Sequence, residues 1–336
     1  MFGWGKKSEP VKLWKVDETK PIVSQVFNEP PESIDHTPKY QDISEEKEHQ
    51  QAYDIVLKHF KSTELYPICE GVCPKEDWKP LNEYEKAWLS KECLLRYLRA
   101  CNWKANDVIK RITNSLAWRR EFGIAGGEFE KVTSHLVKEE NETGKLQVFG
   151  FDDNKRPCLH LFNGRQNTKA SDRQIQQLIY MLERSIDFMP QGQDKICLCV
   201  DFKTYPEACT YNPKVPPVGV GKSVLYILQY HYPERLGRAL FVNMPSLVSV
   251  FLKICWPFVD PYTKQKCKFD EPFKEYILPE QLAFNYGGDV NYEYDHEQYW
   301  DDFVAKADAK RNKIMENFHK HGGEIGLSEW ELRHDI

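Results

Sequence analysis

The segment that most limits the fold is Lys195–Phe202, "KICLCVDF". It is short and almost wholly apolar, without the alternation of a strand that has one wet face. Such a run reads as a strand covered on both faces, the signature of a layered α/β architecture. That reading puts Cys197 and Cys199 on one face of the strand. Upstream, "KLQVFGFDDNKRPCLHLF" reads as strand, turn, strand, with Asp152, Asp153 and Asn154 supplying the turn. Ile175, Leu178, Ile179, Leu182 and Ile186 then repeat at helical spacing, and Ser171 with Gln174 predicts a capping box at the start of that helix. Downstream come a helix, the strand "RALFVNM" and a helix over Ser246–Trp256. From Gly144 to Phe269 the chain alternates β and α, which predicts a mixed, largely parallel sheet with helices packed on it.

Ahead of this lobe the pattern is helical. Residues 1–43 are proline-rich and charged, "NEPPESIDHTP" among them, and read as an extended arm. Ser44 is placed to cap a helix whose Tyr53, Val56, Leu57 and Phe60 form one apolar face. Two further helical stripes follow, Leu94, Leu95 and Leu98, then Ile109, Ile112 and Leu116 before a stop at Gly123. Arg96, Arg99, Arg119 and Arg120 read as solvated faces or ion pairs. The organisation is thus an arm (1–43), a helical module (44–130), an α/β lobe (131–290) and a C-terminal extension (291–336) with a helix from about His296 to His319.

Several function classes fall away on the residues alone. A net charge of −5 and a pI near 6.1 give no basic field for nucleic acid, which is not expected as a partner. The N-terminus lacks an apolar leader, and Phe2 in place of glycine removes the myristoylation pattern, so the expected location is the cytoplasm. The cysteines contain no C-x-x-C and are read as reduced thiols, with no metal expected. Ala239–Val259 carries a single charge, Lys253, but Pro245 and Pro257 leave too short a helix between them to cross a bilayer. It is a core helix or a flap that touches membrane.

"GVGKS", Gly219–Ser223, imitates the end of a phosphate-binding loop. The motif G-x-x-x-x-G-K-[ST] requires glycine where this chain has Pro216, which has no N–H and a fixed φ. Gly219 to Gly221 are read instead as a flexible entry to a helix. There is no H-E-x-x-H, no G-x-S-x-G and no histidine pair at metal spacing, and His160 and His231 read as structural. Catalysis and a cofactor are not expected.

At this point the residues resemble a known family. "LLRYLRACNWKANDVIKRITNSLAWRREFG" is similar to the N-terminal helical module of the CRAL-TRIO lipid-binding family. "YILQYHYPERLGRALFVNMPSLVSVFLKICWPFVDPYTKQK" resembles its core signature, and "YGG" at Tyr286–Gly288 its end. "NGRQNTKASDRQIQQLIYMLERSIDFMPQGQD" and "GGEIGLSEWELR" resemble the fungal phosphatidylinositol transfer proteins of the pleiotropic-drug-resistance branch. The resemblance implies a carrier that encloses one phosphatidylinositol as cargo and touches membranes or lipid droplets transiently. It also implies a part in lipid and sterol homeostasis and in azole tolerance.

Enclosure is what the physics of such cargo demands. Exposing roughly thirty methylenes of a diacyl lipid to water would cost on the order of 25 kcal/mol. The resemblance assigns Ser246–Trp256 as an apolar gate, with Leu247, Val250, Phe251 and Ile254 on it and Leu225 and Leu228 lining the cavity. It assigns the headgroup to Glu234, Thr263 and Lys266, whose ammonium and hydroxyl would donate to the phosphodiester while the carboxylate accepts from inositol hydroxyls. Two positions depart from the pattern. Cys101 stands where many relatives have an arginine for the phosphate, and Leu228 stands where phosphatidylcholine binders have serine. A sterol is therefore the alternative second ligand.

Overall fold

The computed structural model describes residues 16–34, 43–205 and 218–335. The helical module is built on α1 (Lys47–Ser62), α2 (Glu83–Trp88), α3 (Lys91–Ala100) and α4 (Ala105–Phe122). Ser44 does not cap α1. A backbone turn from Glu46 N–H to Ile43 O delays the start, and Glu46 takes the cap position with no side-chain bond. The stripe of Leu94, Leu95 and Leu98 is α3, which Ser90 caps on the Cys93 N–H, and the separate short helix α2 before it starts at a capping box between Asn82 and Glu85. Tyr53, Val56, Phe60, Leu94, Leu95, Leu98, Ile112 and Leu116 bury together as the module's core. Gly123 ends α4 at φ 95°, a left-handed conformation that favours glycine.

Beyond the short helix α5 (Ser134–Val137), the lobe holds a five-stranded sheet in the order β1 (Leu146–Phe151), β2 (Pro157–Gly164), β3 (Ile196–Thr204), β4 (Leu236–Val242), β5 (Cys267–Phe269). Only β1 and β2 are antiparallel, joined by a turn in which Asp152 Oδ1 accepts from Asn154 and Arg156 N–H. The remaining neighbours are parallel and are linked through α6 (Asp172–Asp187), α7 (Val218–His231), and α8 (Ser246–Cys255) with α9 (Pro261–Lys266). The mixed, largely parallel sheet is as the sequence predicts. Ser171 does sit at the N-cap of α6, but no capping box forms: the Gln174 side chain turns to the carbonyls of Thr168 and Lys169.

The two faces of the central strand are covered differently. Cys197 and Cys199 pack with Phe273, Ile277 and Leu282 from a segment of short 3-10 turns, so among the described residues this part of the sheet is covered without an α-helix. On the other side Leu198 and Phe202 stay half-buried although β3 is flanked by strands on both edges. The apolar run is real, but its second face is left partly open.

Both chain extensions join the lobe. Residues 16–34 of the expected free arm are docked, with Val26 in the main core, Ile34 buried, and Val23 bridged to Tyr292. The rest of the arm lies outside the described residues. The last long helix, α10 (His296–Lys320), inserts Tyr299, Trp300, Phe303 and Ala307 into that core. After it, α11 (Glu329–Leu332) returns to the helical module, where Glu329 meets Arg96 at 2.9 Å and Ser328 donates to Glu92 at 2.7 Å.

Candidate functional site

Parallel register aligns side chains across the strands into rows. Leu161, Val200, Phe241 and Phe269 make one row, and Leu159, Leu198, Ala239 and Cys267 the next. Both belong to the face that carries Leu228 of α7 and the main core. Leu161, Leu198 and Phe241 are half-buried there, so among the described residues the middle of the sheet keeps aliphatic and aromatic surface partly open. Leu225 and Leu228 of α7 are half-buried as well.

Helix α8 packs on α7. Val248 is buried, whereas Val250 is 53% and Ile254 48% exposed. The side chains of Leu247 and Phe251 lie outside the described residues. Tyr226, Phe258 and Tyr262 add exposed rings on neighbouring elements. An apolar surface of this kind on a folded chain marks contact with lipid or another apolar body. Trp256 packs edge-on against Phe269, which stacks on Phe241, tying the end of α8 to the sheet. Among the described residues, no helix is long and apolar enough to cross a membrane.

The base of α8 is pinned. Asn243, at φ 55°, donates from Nδ2 to Asp201 Oδ1 at 2.7 Å, and the Tyr286 hydroxyl donates to Asp201 Oδ2 at 2.5 Å. Around this point a cavity of about 690 Å³ opens at the carboxyl ends of β3 and β4, bounded by Phe202, Val242, Pro245 and Tyr286 among others. The "YGG" tyrosine thereby acquires a physical role.

The polar residues of the expected headgroup site gather at the opposite end of β4. Glu234 occupies φ 59° in the turn before the strand and accepts from Arg99 Nε at 2.6 Å. Lys266 ends α9, donates to Leu236 O at 2.6 Å and lies 3.8 Å from the Tyr262 ring centre. Burial, then the nearby Lys195 charge, pushes the Lys266 ammonium down to about 8, against the pull of Glu234 and Asp260. Glu234 and Lys266 therefore share one electrostatic environment. Thr263 is one turn before Lys266 on the same helix face, and its N–H binds Asp260 Oδ1, the cap of α9. The backbone carbonyl takes one of three ammonium protons, so the arrangement can offer further donors to an anion beside an accepting carboxylate.

Sequence reading missed the arginines that complete this site. Arg99 is the partner of Glu234, and the ion-pair alternative fits all four arginines singled out: Arg96 meets Glu329, Arg119 meets Glu183, and Arg120 meets Glu85. Of these, Arg96, Arg119 and Arg120 are buried, so no solvated face is involved. Beside Cys101 lies Arg111, with Nη1 3.9 Å from the sulfur and Nε donating to Tyr230 O at 2.9 Å. The one sequence signal was that α3 and α4 are rich in arginine for helices that pack in a core.

The module also fixes the turn that carries Glu234. Tyr97 donates to His231 O at 2.9 Å, Ser115 Oγ is 3.0 Å from His231 Nδ1, and the imidazole stacks on Trp118 at 4.2 Å. Burial drives the His231 pKa down to about 3, so the ring is a neutral packing element. Gly219 and Gly221 belong to the first turn of α7 and are not a loose entry to it. Pro216 lies outside the described residues. Lys222 sits 4.8 Å from the Phe258 ring centre, a contact to the α8–α9 turn.

Residues 141–288 match the CRAL/TRIO domain, and residues 52–114 match the CRAL/TRIO N-terminal domain. The chain is 42% identical over 316 residues to "Phosphatidylinositol transfer protein PDR17" of Saccharomyces cerevisiae, covering 92% of this chain and 89% of that one. It is 42% identical over 296 residues to "CRAL-TRIO domain-containing protein C23B6.04c" of Schizosaccharomyces pombe, covering 88% of this chain and 28% of that longer one. Patellin-5 of Arabidopsis thaliana is 26% identical over 261 residues, covering 71% of this chain and 38% of that one.

Proposed function

Because the chain belongs to the CRAL/TRIO family, we propose that it carries one phosphatidylinositol and exchanges it at membrane surfaces, binding lipid without catalysis. The observation that carries this reading is the partly open apolar face of the sheet beneath α7 and α8, with Glu234 and Lys266 grouped at one end. A relative printed as a phosphatidylinositol transfer protein, matched along nearly its whole length, supports the choice of lipid. The site is suited to a phosphodiester with hydroxyls beside it: Lys266 and Thr263 donate, and Glu234, oriented by Arg99, accepts. A sterol as a competing ligand rests on Leu228, half-buried against the core. Roles in sterol homeostasis and azole tolerance, and a cytoplasmic location with transient visits to membranes or lipid droplets, follow from the same reading.

Purified chain incubated with vesicles containing phosphatidylinositol should move that lipid to acceptor vesicles. Extraction and mass spectrometry should then find one phosphatidylinositol per chain and little phosphatidylcholine. A chain that retains only sterol, or no lipid, would sink the proposal. The exposed face of α8 gives a second expectation. Val250→Asp combined with Ile254→Asp places charges where an apolar face would enter the headgroup region, and should reduce flotation with vesicles at least several-fold while leaving the fold intact. Flotation equal to that of the parent chain would remove α8 as the contact surface.

A further inference from the structure

The closed side of the sheet holds a second chemical group. Register pairs Cys158 with Cys197 and His160 with Cys199 across β2 and β3, so the four side chains form a block on one face. All are buried, His160 at 4% exposure and the cysteines at 0%. The sulfurs of Cys158 and Cys199 and a ring nitrogen of His160 lie within 4.8 Å of one another, and Cys197 Sγ is 3.9 Å from Cys199 Sγ. The edge of a tetrahedron with metal–sulfur bonds of about 2.3 Å is about 3.8 Å.

The histidine supplies an independent indication. His160 Nε2 is 3.0 Å from Phe149 O, and a carbonyl only accepts, so Nε2 carries the proton. Nδ1 is then a bare lone pair, buried and without a hydrogen-bond partner. An unsatisfied buried acceptor is uncommon, and a ring whose far N–H is held by a backbone carbonyl is the usual posture of a metal-bound histidine. The competing arrangement is plain packing, with the Cys158 thiol directed at Arg156 O at 3.8 Å.

We propose that Cys158, His160 and Cys199, with Cys197 as fourth donor, bind zinc(II) beneath β2 and β3, on the side of the sheet away from the lipid face. Thiolate and imidazole donors in a closed tetrahedral set suit this ion. Each coordinating thiol gives its proton to solvent, so binding releases protons and weakens as pH falls. The pattern is invisible as a sequence motif because its halves, C-x-H and C-x-C, stand on different strands.

The test uses the full chain, purified reduced and stripped with a chelator. Titration with zinc should give one ion per chain and raise Tm, and cobalt(II) should produce a thiolate charge-transfer band with tetrahedral ligand-field absorption. Cys158→Ser and Cys199→Ser should each abolish the band, whereas Cys69→Ser with Cys73→Ser should leave it. Substitutions in the core risk unfolding the chain, so X-ray absorption on zinc-loaded wild type gives a reading free of variants, with three sulfur neighbours and one nitrogen expected. Failure of the folded wild type to take up zinc stoichiometrically, a shell of oxygen and nitrogen only, or a band that survives in the Cys158→Ser, Cys199→Ser double variant would each overturn the proposal.

Discussion

Lys266→Ala should lower phosphatidylinositol transfer by roughly ten- to a hundredfold, the range of about 1.5–3 kcal/mol for a hydrogen bond to a charged group. The chain should stay folded, because Lys266 is only partly buried and its hydrogen bond among the described residues is to a backbone carbonyl. Transfer of a neutral lipid, if any is carried, should change little. Equal transfer of phosphatidylinositol by the variant and the parent in the same vesicle assay would withdraw Lys266 from the headgroup site. The pH profile separates a charge effect from a packing effect. The ammonium of the folded, empty chain titrates near 8 instead of 10.5, mainly because burial disfavours its charge. Loading with phosphatidylinositol should therefore fall as pH rises through about 8, and a Lys266→Met chain should lack that fall. Stability moves the other way. Between about 8 and 10.5 the unfolded chain holds the extra proton, so this one group makes the fold more stable as pH rises through that window.

The second large effect is on stability. Glu329→Ala removes the carboxylate that meets Arg96 at 2.9 Å and Arg235 at 3.4 Å, with Arg333 contributing charge to the same pocket. Arg96, Arg235 and Arg333 are all buried, so their charges would lose a compensating anion inside the protein. Loss of one partner from such a pair costs about 3–5 kcal/mol, which urea unfolding would register as a much lower midpoint. A midpoint within experimental error of the parent would show that α11 does not hold module and lobe together. Acid should act on the same network. Burial alone would raise the Glu329 carboxyl, but the three guanidinium groups hold it well below the usual range. Glu183 is likewise held to about 2 by Arg119 despite burial. Both are depressed values, so their stabilisation is complete above the unfolded value near 4.5 and is lost as pH falls from there toward 2.

What could be read from the chain beforehand divides by distance. Helices α1, α4, α6 and α10 and the strands β1 to β4 were legible because hydrophobic period and turn chemistry are local. Family resemblance singled out Glu234, Thr263 and Lys266, and the structure groups Glu234 with Lys266 and places Thr263 one turn away. Features set by partners far along the chain were not. Nothing near Ser44 announces the turn from Ile43 to Glu46 that displaces it, and nothing near Gln174 announces its preference for the Thr168 carbonyl. Arg99 and Glu234 are 135 residues apart, and α3 alone looks like a helix with spare charge. Proline-rich residues of the arm look unable to bury anything, yet Ile34 is buried and Val26 uses a surface that the lobe and α10 provide. The cysteine run on β3 signals burial. It could not show that Cys158 and His160 would be aligned beside it.

Asp201 gives one end of α8 a polar anchor, while the other end is held mainly by rings. The amino end hangs on Asn243, whose side chain shares that carboxylate with Tyr286, while the far end is held near Phe258 by a Gln229 bond of 3.0 Å and by the face of its ring against Lys222. A door of about 15 Å, ten residues at the helical rise, hung in this way has its post at the carboxyl ends of the strands and its latch beside α7. In the proposed carrier the hinge at Asn243 and the polar pair Glu234 and Lys266 then stand at opposite ends of β4, so a lipid lying along that strand has its headgroup at the end away from the hinge.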